Sequence, residues 1–208
     1  MAFNVFEILE SEHRLIAKAL AGSRPCVPHL AQLGAAVQPV SPELIGFCEQ
    51  FVSRYHQLKE HHLFLCLQRK GGASVSAPMV ALLVDHCRLA RLTGLMDGLG
   101  RMHPDGQPGN RALMAGYLAD YITLTQEHML KEDRFIRMAC GLVDSLDQAA
   151  LAVTFEQLEQ EPSGVARRAH CVQWAGTCLS GDTLCVRSAD SSLVNGSAVG
   201  STQEQCFC

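Results

Sequence analysis

Apolar residues recur every three to four positions in several long stretches of this chain, which is the spacing that places side chains on one side of an α-helix. In the first stretch, residues 5–20, Leu9 and Ile16 share such a stripe with a polar residue, His13. No stretch shows the strict alternation of apolar and polar residues that is typical of half-buried β-strands. The pattern therefore predicts an all-α protein.

Capping and helix-breaking residues divide the rest of the pattern into four further helices. Ser and Asn favour the position just before a helix, Pro favours its first turn, and Gly favours the position after its end. A loop with Pro25, Pro28 and Pro39 separates the first helix from the second, and Ser145 with Gln148 resembles a capping box for the last. The signals place the second helix at residues 41–70, the third at 76–100, the fourth at 110–140 and the fifth at 145–162.

The composition changes near residue 180, after a further helical stretch. Residues 163–179 predict a short C-terminal helix, whereas residues 180–208 are rich in Ser and Gly, contain cysteines and show no helical stripe. A segment with so few large apolar residues cannot bury enough surface to fold, so we expect a disordered tail there. The length of 208 residues fits one domain, which we expect over residues 1–162.

Composition and charge argue against several classes of function. The net charge of −4 and the lack of a basic cluster disfavour nucleic acid as a partner. No apolar run approaches the ~20 residues that span a bilayer, and Glu7, Glu10 and Glu12 are not typical of a secretory signal peptide. The ten cysteines form no CxxC pair, so we expect free thiols in a reducing cytoplasm.

Two histidine–carboxylate pairs are the most informative chemical feature of the sequence. His56 and Glu60 are four residues apart, and so are His128 and Glu132. Residues four apart lie on one face of a helix, about one turn or ~6 Å along its axis. Each pair can therefore direct an imidazole nitrogen and a carboxylate oxygen at one metal ion.

Two other helices each carry one histidine within the apolar stripe, His13 in the first and His86 in the third. Taken singly, such a histidine is more often a hydrogen-bonded core residue, and His/Glu pairs four apart are common on solvated surfaces. Together, four imidazoles and two carboxylates in one apolar interior need a cation, because an isolated buried carboxylate is too costly to desolvate. Mixed histidine and carboxylate ligands favour iron or manganese over zinc and magnesium. Helical bundles build dinuclear metal sites in this way.

The residues around these ligands carry a resemblance to a known family. The first helix contains Glu12-His13-Arg14-Leu15-Ile16, the second Tyr55-His56, Lys59-Glu60 and Leu63-Phe64, the third Asp85-His86, and the fourth Glu127-His128, Lys131-Glu132-Asp133 and Phe135. In order, spacing and flanking residues, the stretch 3–160 resembles the hemerythrin-like proteins, also called HHE cation-binding domains. The resemblance implies an up-down four-helix bundle, here with one or two extra C-terminal helices. It also implies two iron ions in an oxo- or hydroxo-bridged diiron centre.

The resemblance further implies a role for each ligand: two acids bridge the irons, and two histidines complete each iron. The implied bridging residues are Glu60 and Glu132, the implied ligands of one iron are His13 and His56, and those of the other are His86 and His128.

The sequence departs from the oxygen-carrying members of that family on two helices. Those members have a second histidine four residues after the one on the third helix, where this chain has Ala90. They also have a His-to-Asp spacing of five on the fourth helix. The matching residue here, Asp133, lies ~100° around the helix from Glu132, and we favour Glu132 as the ligand. One histidine fewer predicts an open or water-filled position, which favours a labile site that binds or reacts with O₂, NO or peroxide over simple reversible O₂ carriage.

Three further residues are candidates for contacts with the ligands rather than with the metal. His61 directly follows Glu60 and is a candidate replacement ligand or hydrogen-bond donor. Tyr121 is a packing residue in the more general interpretation, and in the alternative it donates a hydrogen bond to a bridging carboxylate or a bound oxygen species. Asp133, next to Glu132, is the third candidate.

Three functional hypotheses fit these observations. The first is a diiron protein that binds or reacts with a small oxidant, and the second is an iron-handling or iron/oxygen-sensing switch whose folding depends on metal, without catalysis. The third is a helical interaction module whose sites are vestigial or loaded with zinc. The sequence has no nucleotide-binding loop and no nucleophile–base arrangement. A binding or sensing protein is therefore favoured over an enzyme, with peroxide-consuming redox activity as the enzymatic alternative and no indication of a protein partner.

Overall fold

All regular structure in the computed structural model is helical across the residues that it describes, 4–32, 40–102 and 108–161. The elements are α1 (Val5–Ser23), α2 (Cys26–Gln32), α3 (Pro42–Gly46), a π-helix (Phe47–His56), α4 (Gln57–Gly71), α5 (Ala73–Met102), α6 (Pro108–Ala139), a 3₁₀ turn (Cys140–Leu142) and α7 (Ser145–Gln160). The prediction of an all-α protein is confirmed.

Four long helical segments pass between two clusters of buried apolar side chains. We call them the Phe51 cluster, which also contains Leu20 and Leu118, and the Phe64 cluster, which also contains Leu9. The helix α1 and the helix α5 both start in the Phe64 cluster and end in the Phe51 cluster, whereas the segment from α3 to α4 and the helix α6 run the opposite way. The four segments therefore form an up-down bundle.

A fifth helix, α7, packs against α1 and α4. Leu151 and Phe155 insert into the Phe64 cluster, and each buried apolar side chain of this size contributes about 1.5–3 kcal/mol. Gln148 Oε1 accepts a hydrogen bond from the backbone N–H of Val5 at 3.2 Å. Because the first N–H groups of a helix have no partner within it, this contact also stabilises the start of α1.

The segment that carries His56 is not the continuous α-helix that its apolar spacing predicts over residues 41–70. A π-helix, Phe47–His56, connects α3 with α4, and the Ser53 hydroxyl donates to the Cys48 carbonyl five residues earlier at 3.2 Å. A π-helix bonds residue i to i+5 and therefore has a wider turn than an α-helix. Both Tyr55 and His56 are buried, although they are adjacent in sequence.

The structure differs from the prediction at two places where a proline lies within a helix. In both, the N–H that proline lacks removes no hydrogen bond, or one whose acceptor is exposed to water. The stretch predicted as a loop contains α2, in which Pro28 lies in the first turn, where no helical bond is lost. The helix α5 begins at Ala73 rather than at Ser76 and continues through Pro78. The carbonyl left without its helical partner there belongs to Ser74, which is exposed to water.

The start of α7 lies one residue from the predicted cap. Asp144, rather than Ser145, is the N-cap: its side chain accepts hydrogen bonds from the backbone N–H groups of Leu146 and Asp147 at 2.9 Å and 3.0 Å. The Asp147 side chain accepts from the Asp144 N–H at 3.2 Å, which completes a capping box. Aspartate and serine are about equally good N-caps, so the sequence alone does not separate them.

Four described cysteines, Cys48, Cys66, Cys87 and Cys140, are free thiols. Cys26 is disulfide-bonded, which differs from the expectation of free thiols, because pairing depends on proximity in space and not on spacing in sequence. The predicted short helix over residues 163–179 and the predicted tail over residues 180–208 lie outside the described residues. None of the described helices is long and apolar enough to cross a membrane.

Candidate metal centre

Six side chains with ligand atoms for metals meet where the Phe51 cluster adjoins the Phe64 cluster. All are buried or nearly so, and they come from all four long segments of the bundle. They are His13 on α1, His56 at the end of the π-helix, Glu60 on α4, His86 on α5, and His128 and Glu132 on α6.

Four of these residues, His13, His56, Glu60 and Glu132, form a first group whose ligand atoms all lie within 4.8 Å of one another. Glu60 Oε1 is 2.6 Å from His56 Nε2 and 3.7 Å from His13 Nε2. Glu132 Oε2 is 3.0 Å from His13 Nε2. Two imidazole nitrogens and two carboxylate oxygens are thus close enough together to hold one metal ion.

Glu60, His86 and His128 form a second group within the same distance limit of 4.8 Å. Glu60 Oε2 is 2.9 Å from His86 Nε2, and the Nε2 atoms of His86 and His128 are 3.1 Å apart. Glu132 Oε2 is 3.7 Å from His128 Nε2. The two oxygens of Glu60 therefore face different groups, as a carboxylate that bridges two metal ions must.

The donor set fits a cation because its atoms lack other partners. Within the described residues, both oxygens of Glu60 and Glu132, and the Nε2 atoms of His13 and His56, make no hydrogen bond of normal geometry although they are buried and approach one another closely. Each such group costs about 1–3 kcal/mol when left unsatisfied, and more when it is charged. Metal ions would satisfy these atoms together.

Three of the four histidines have a carboxylate beside the ring nitrogen that faces away from the cluster. His56 Nδ1 is 2.8 Å from Glu12 Oε2, His13 Nδ1 is 3.2 Å from Asp133 Oδ1, and His128 Nδ1 makes a longer contact of 3.8 Å with Asp85 Oδ2. Carboxylates in this position fix the tautomer and the orientation of a metal-binding histidine and raise its basicity.

A buried ammonium group holds the carboxylate behind His56. Lys59 Nζ is 2.6 Å from Glu12 Oε1, 2.8 Å from Tyr55 Oη and 2.9 Å from Glu159 Oε1. The Lys59 side chain is 0% exposed, and a buried charge is costly unless it is paired. Two carboxylates therefore stabilise the ammonium, and the ammonium in turn holds Glu12 in place.

The histidines of the two groups have different electrostatic surroundings. Burial disfavours the charged form of His13, but hydrogen bonds to carboxylates, first to Asp133, outweigh it and raise the pKa of His13 to about 12. Burial acts in the same way on His56, and the charge of Glu60 contributes most to raising the pKa of His56 to about 9. Burial dominates at His128 and lowers its pKa to about 4. Without metal, His13 and His56 are therefore protonated at neutral pH, and His128 is not.

The two buried glutamates also differ. Burial raises the pKa of Glu60, but the adjacent histidines, His56 above all, outweigh this effect and hold that pKa well below its ordinary value. Burial and the negative charge of Glu60 raise the pKa of Glu132 to about 7. Positive metal ions would favour the ionised form of both carboxylates at once.

Two of the predicted neighbours of the ligands lie elsewhere. His61 is exposed, with its ring 6.5 Å from that of His62, because a residue one position after Glu60 is turned ~100° around the helix. Tyr121 is fully buried in the Phe51 cluster, and its hydroxyl faces Cys48 rather than a bridging carboxylate. This burial agrees with the packing interpretation of Tyr121.

The structure also places the two positions at which the sequence departs from the oxygen carriers. Asp133 lies behind His13, with its side chain 38% exposed, and belongs to neither ligand group. Ala90 is exposed, whereas its neighbour Leu89 is fully buried in the Phe51 cluster. The alanine four residues after His86 offers no ligand atom to the site.

The residues that support the ligands are not singled out by the helical pattern. Glu12, Tyr55, Lys59 and Asp85 each stand next to a ligand in sequence, within the motifs that carry the resemblance, and that adjacency is the signal that could have identified them. Glu159 offers no such signal, because it lies on α7, 100 residues along the chain from Lys59.

Comparison with protein families gives one finding, a match of residues 4–139 to the hemerythrin HHE cation-binding domain. The match covers more than half of the chain, and the protein belongs to this family. The family binds metal cations, in agreement with the His/Glu cluster of the bundle. No curated protein and no solved structure matches the chain.

Proposed function

We propose that the His/Glu cluster holds two iron ions as a diiron centre. The observation that carries this proposal is that the two oxygens of one buried glutamate face two different pairs of histidines. A mixed set of imidazoles and carboxylates suits iron or manganese better than zinc or magnesium. The proposed bridging residues are Glu60 and Glu132, the proposed further ligands of one ion are His13 and His56, and those of the other are His86 and His128.

We further propose that a small ligand, namely O₂, NO or peroxide, binds at an open position of the second ion. The side chain of His86 in the second group is 12% exposed, which is more than that of any of the other three histidines. Phe64 stacks beside His86, with ring centres 6.2 Å apart, and gives this side of the second group an apolar neighbour. When bound, iron would supply electrons or a Lewis-acid site to such a ligand.

The proposed cellular location rests on thiol chemistry. The four free thiols among the described cysteines favour a reducing compartment, and we propose the cytoplasm. The disulfide at Cys26 is the observation that argues against this location.

Metal loading is expected to weaken steeply as the pH falls. The pKa values of His13 and His56, about 12 and about 9 without metal, mean that each carries a proton at pH 7 that a metal ion must displace. Each displaced proton lowers the apparent association constant about tenfold per unit of falling pH. We expect the affinity of the first group for Mn²⁺ to fall about a hundredfold from pH 8 to pH 7. Calorimetric titration in buffers of different ionisation enthalpy counts the released protons, and an affinity independent of pH would contradict the account.

Exposure of the iron-loaded protein to air tests the proposed binding of small ligands. We expect new near-ultraviolet and visible absorption bands when protein loaded anaerobically with Fe²⁺ meets O₂, and none with the zinc-loaded protein. Bands that vanish under vacuum would identify reversible binding. Bands that decay irreversibly while peroxide is consumed would identify redox chemistry. A spectrum that O₂, NO and peroxide all leave unchanged would refute this part of the proposal.

The second candidate function is an iron-handling or sensing switch. The buried and unsatisfied atoms of Glu60 and Glu132 favour it, because they make the bundle less stable without metal, so that metal-binding energy becomes folding energy. Circular dichroism before and after chelation tests this alternative. A large, reversible loss of helicity supports the switch, and full helicity without metal excludes it.

A further inference from the structure

A chain of close polar contacts connects α7 with the metal centre. Glu159 Oε1 is 2.9 Å from Lys59 Nζ, which is 2.6 Å from Glu12 Oε1. The other oxygen of Glu12 is 2.8 Å from His56 Nδ1, and His56 Nε2 is 2.6 Å from Glu60 Oε1. The contacts thus run without a gap from a carboxylate near the surface to a proposed bridging ligand.

The middle of this chain of contacts is held tightly. Lys59 is fully buried and Glu12 nearly so, whereas the Glu159 side chain is 29% exposed. The rings of Tyr55 and Phe155 lie beside the ammonium, with their centres 4.1 Å and 5.6 Å from Nζ. Charge-assisted hydrogen bonds of this kind are about twice as strong as neutral ones. The charge of Lys59 is therefore shared between two carboxylates that come from different helices.

The outer carboxylate belongs to a part of the chain that the family match does not include. The match ends at residue 139, and Glu159 lies near the end of α7, on a groove of about 370 Å³ that is also lined by Ile8 and Phe155. The packing of Phe155 in the Phe64 cluster brings Glu159 within reach of Lys59.

We infer that Glu159 is a positioning residue for the metal centre, which acts on His56 through Lys59 and Glu12. With Glu159 present, the Lys59 ammonium is neutralised from two sides, and Glu12 remains a strong acceptor for the His56 ring. Without the Glu159 carboxylate, Glu12 is the one carboxylate left beside the Lys59 ammonium, and it holds and polarises His56 less. The inference rests on the proposed function in one respect, that metal ions occupy the cluster.

The substitution Glu159→Gln in the full-length protein tests the inference. The probe is Co²⁺, whose visible spectrum reports its coordination, and the readout is the rate at which each of two bound ions is lost to excess chelator. Substitution of a residue that hydrogen-bonds a metal-binding side chain costs roughly 10- to 100-fold in metal affinity. Because Glu159 is two contacts removed from His56, we expect one Co²⁺ to dissociate about 10-fold faster and the other at the wild-type rate.

Two control substitutions separate positioning from the docking of α7. Glu156→Gln removes the same charge from an exposed residue one turn away on α7, and we expect no change in either rate. Leu151→Ala weakens the packing of α7 in the Phe64 cluster without removing a polar group. We expect it to lower the melting temperature but to leave both rates unchanged, because Phe155 still holds α7 and therefore Glu159 beside Lys59.

Three outcomes decide the matter. Selective acceleration of one ion in Glu159→Gln supports the inference. Wild-type rates in this variant, or an equal acceleration in Leu151→Ala, would overturn it. Failure of the wild-type protein to bind two Co²⁺ ions would instead count against the proposed function.

Glu159→Asp keeps the charge and lengthens the contact with Lys59, so we expect a dissociation rate between those of the wild-type protein and Glu159→Gln. This variant provides the test if Glu159→Gln does not fold.

Discussion

Replacement of Glu60 by glutamine is expected to abolish the loading of both metal ions. Glu60 is the residue common to both ligand groups. Its Oε1 is 2.6 Å from His56 Nε2 in the first group, and its Oε2 is 2.9 Å from His86 Nε2 in the second. Glutamine preserves the shape of the side chain but removes the negative charge that the two cations require. Removal of a residue that hydrogen-bonds a metal ligand costs roughly 10- to 100-fold in metal affinity. Because Glu60 is itself a proposed ligand, we expect a larger loss of affinity. Metal analysis after equilibrium dialysis against Fe²⁺ under anaerobic conditions measures the effect.

The matched control for this experiment is Glu127→Gln. Glu127 is exposed and directly precedes His128, so this substitution changes the charge equally without touching the cluster. We expect it to retain the wild-type metal content. A Glu60→Gln variant that still binds one ion at wild-type affinity would show that Glu60 serves a single ion. A Glu60→Gln variant that retains both ions would show that Glu60 binds neither of them.

Replacement of Lys59 by methionine is expected to cost the metal-free protein about 3–5 kcal/mol of unfolding free energy. Methionine fills much of the same space but removes the buried ammonium that pairs with both Glu12 and Glu159, and removal of one partner of a buried ion pair costs about this amount. For a chain of this size the melting temperature should fall by about 10 °C. Chemical denaturation followed by circular dichroism measures the loss.

Lys70→Met is the corresponding control at the surface. Lys70 pairs with Asp144 and Asp147, but its side chain is 40% exposed, and exposed ion pairs contribute little to stability. We expect a much smaller effect than that of Lys59→Met. Equal stability of Lys59→Met and the wild-type protein would contradict the assigned role of the buried ammonium.

The helical class and the inward direction of the six candidate ligands are predictable from the sequence, because both depend on local periodicity. A residue four positions after His56 or His128 must lie on the same face of its helix. A face that also carries apolar residues, such as Leu63 after Glu60, must be buried.

Features that depend on small energy differences or on distant packing are not predictable in this way. Spacings of four and five residues both produce a buried stripe, so the π-helix that ends at His56 leaves no distinct signal in the sequence. The seven residues of α2, with Pro28 in the first turn, resemble a loop. Glu159 approaches Lys59 only because α7 folds back onto α1 and α4, and no local pattern specifies that contact.

The metal content of protein purified anaerobically from iron-replete cells shows whether the His/Glu cluster is a diiron centre. We expect close to two iron ions per chain, bound by the groups that share Glu60. Protein that contains no iron, or zinc alone, would contradict the assignment of Glu60 and Glu132 as bridging ligands and would leave a helical bundle that acts as an interaction module.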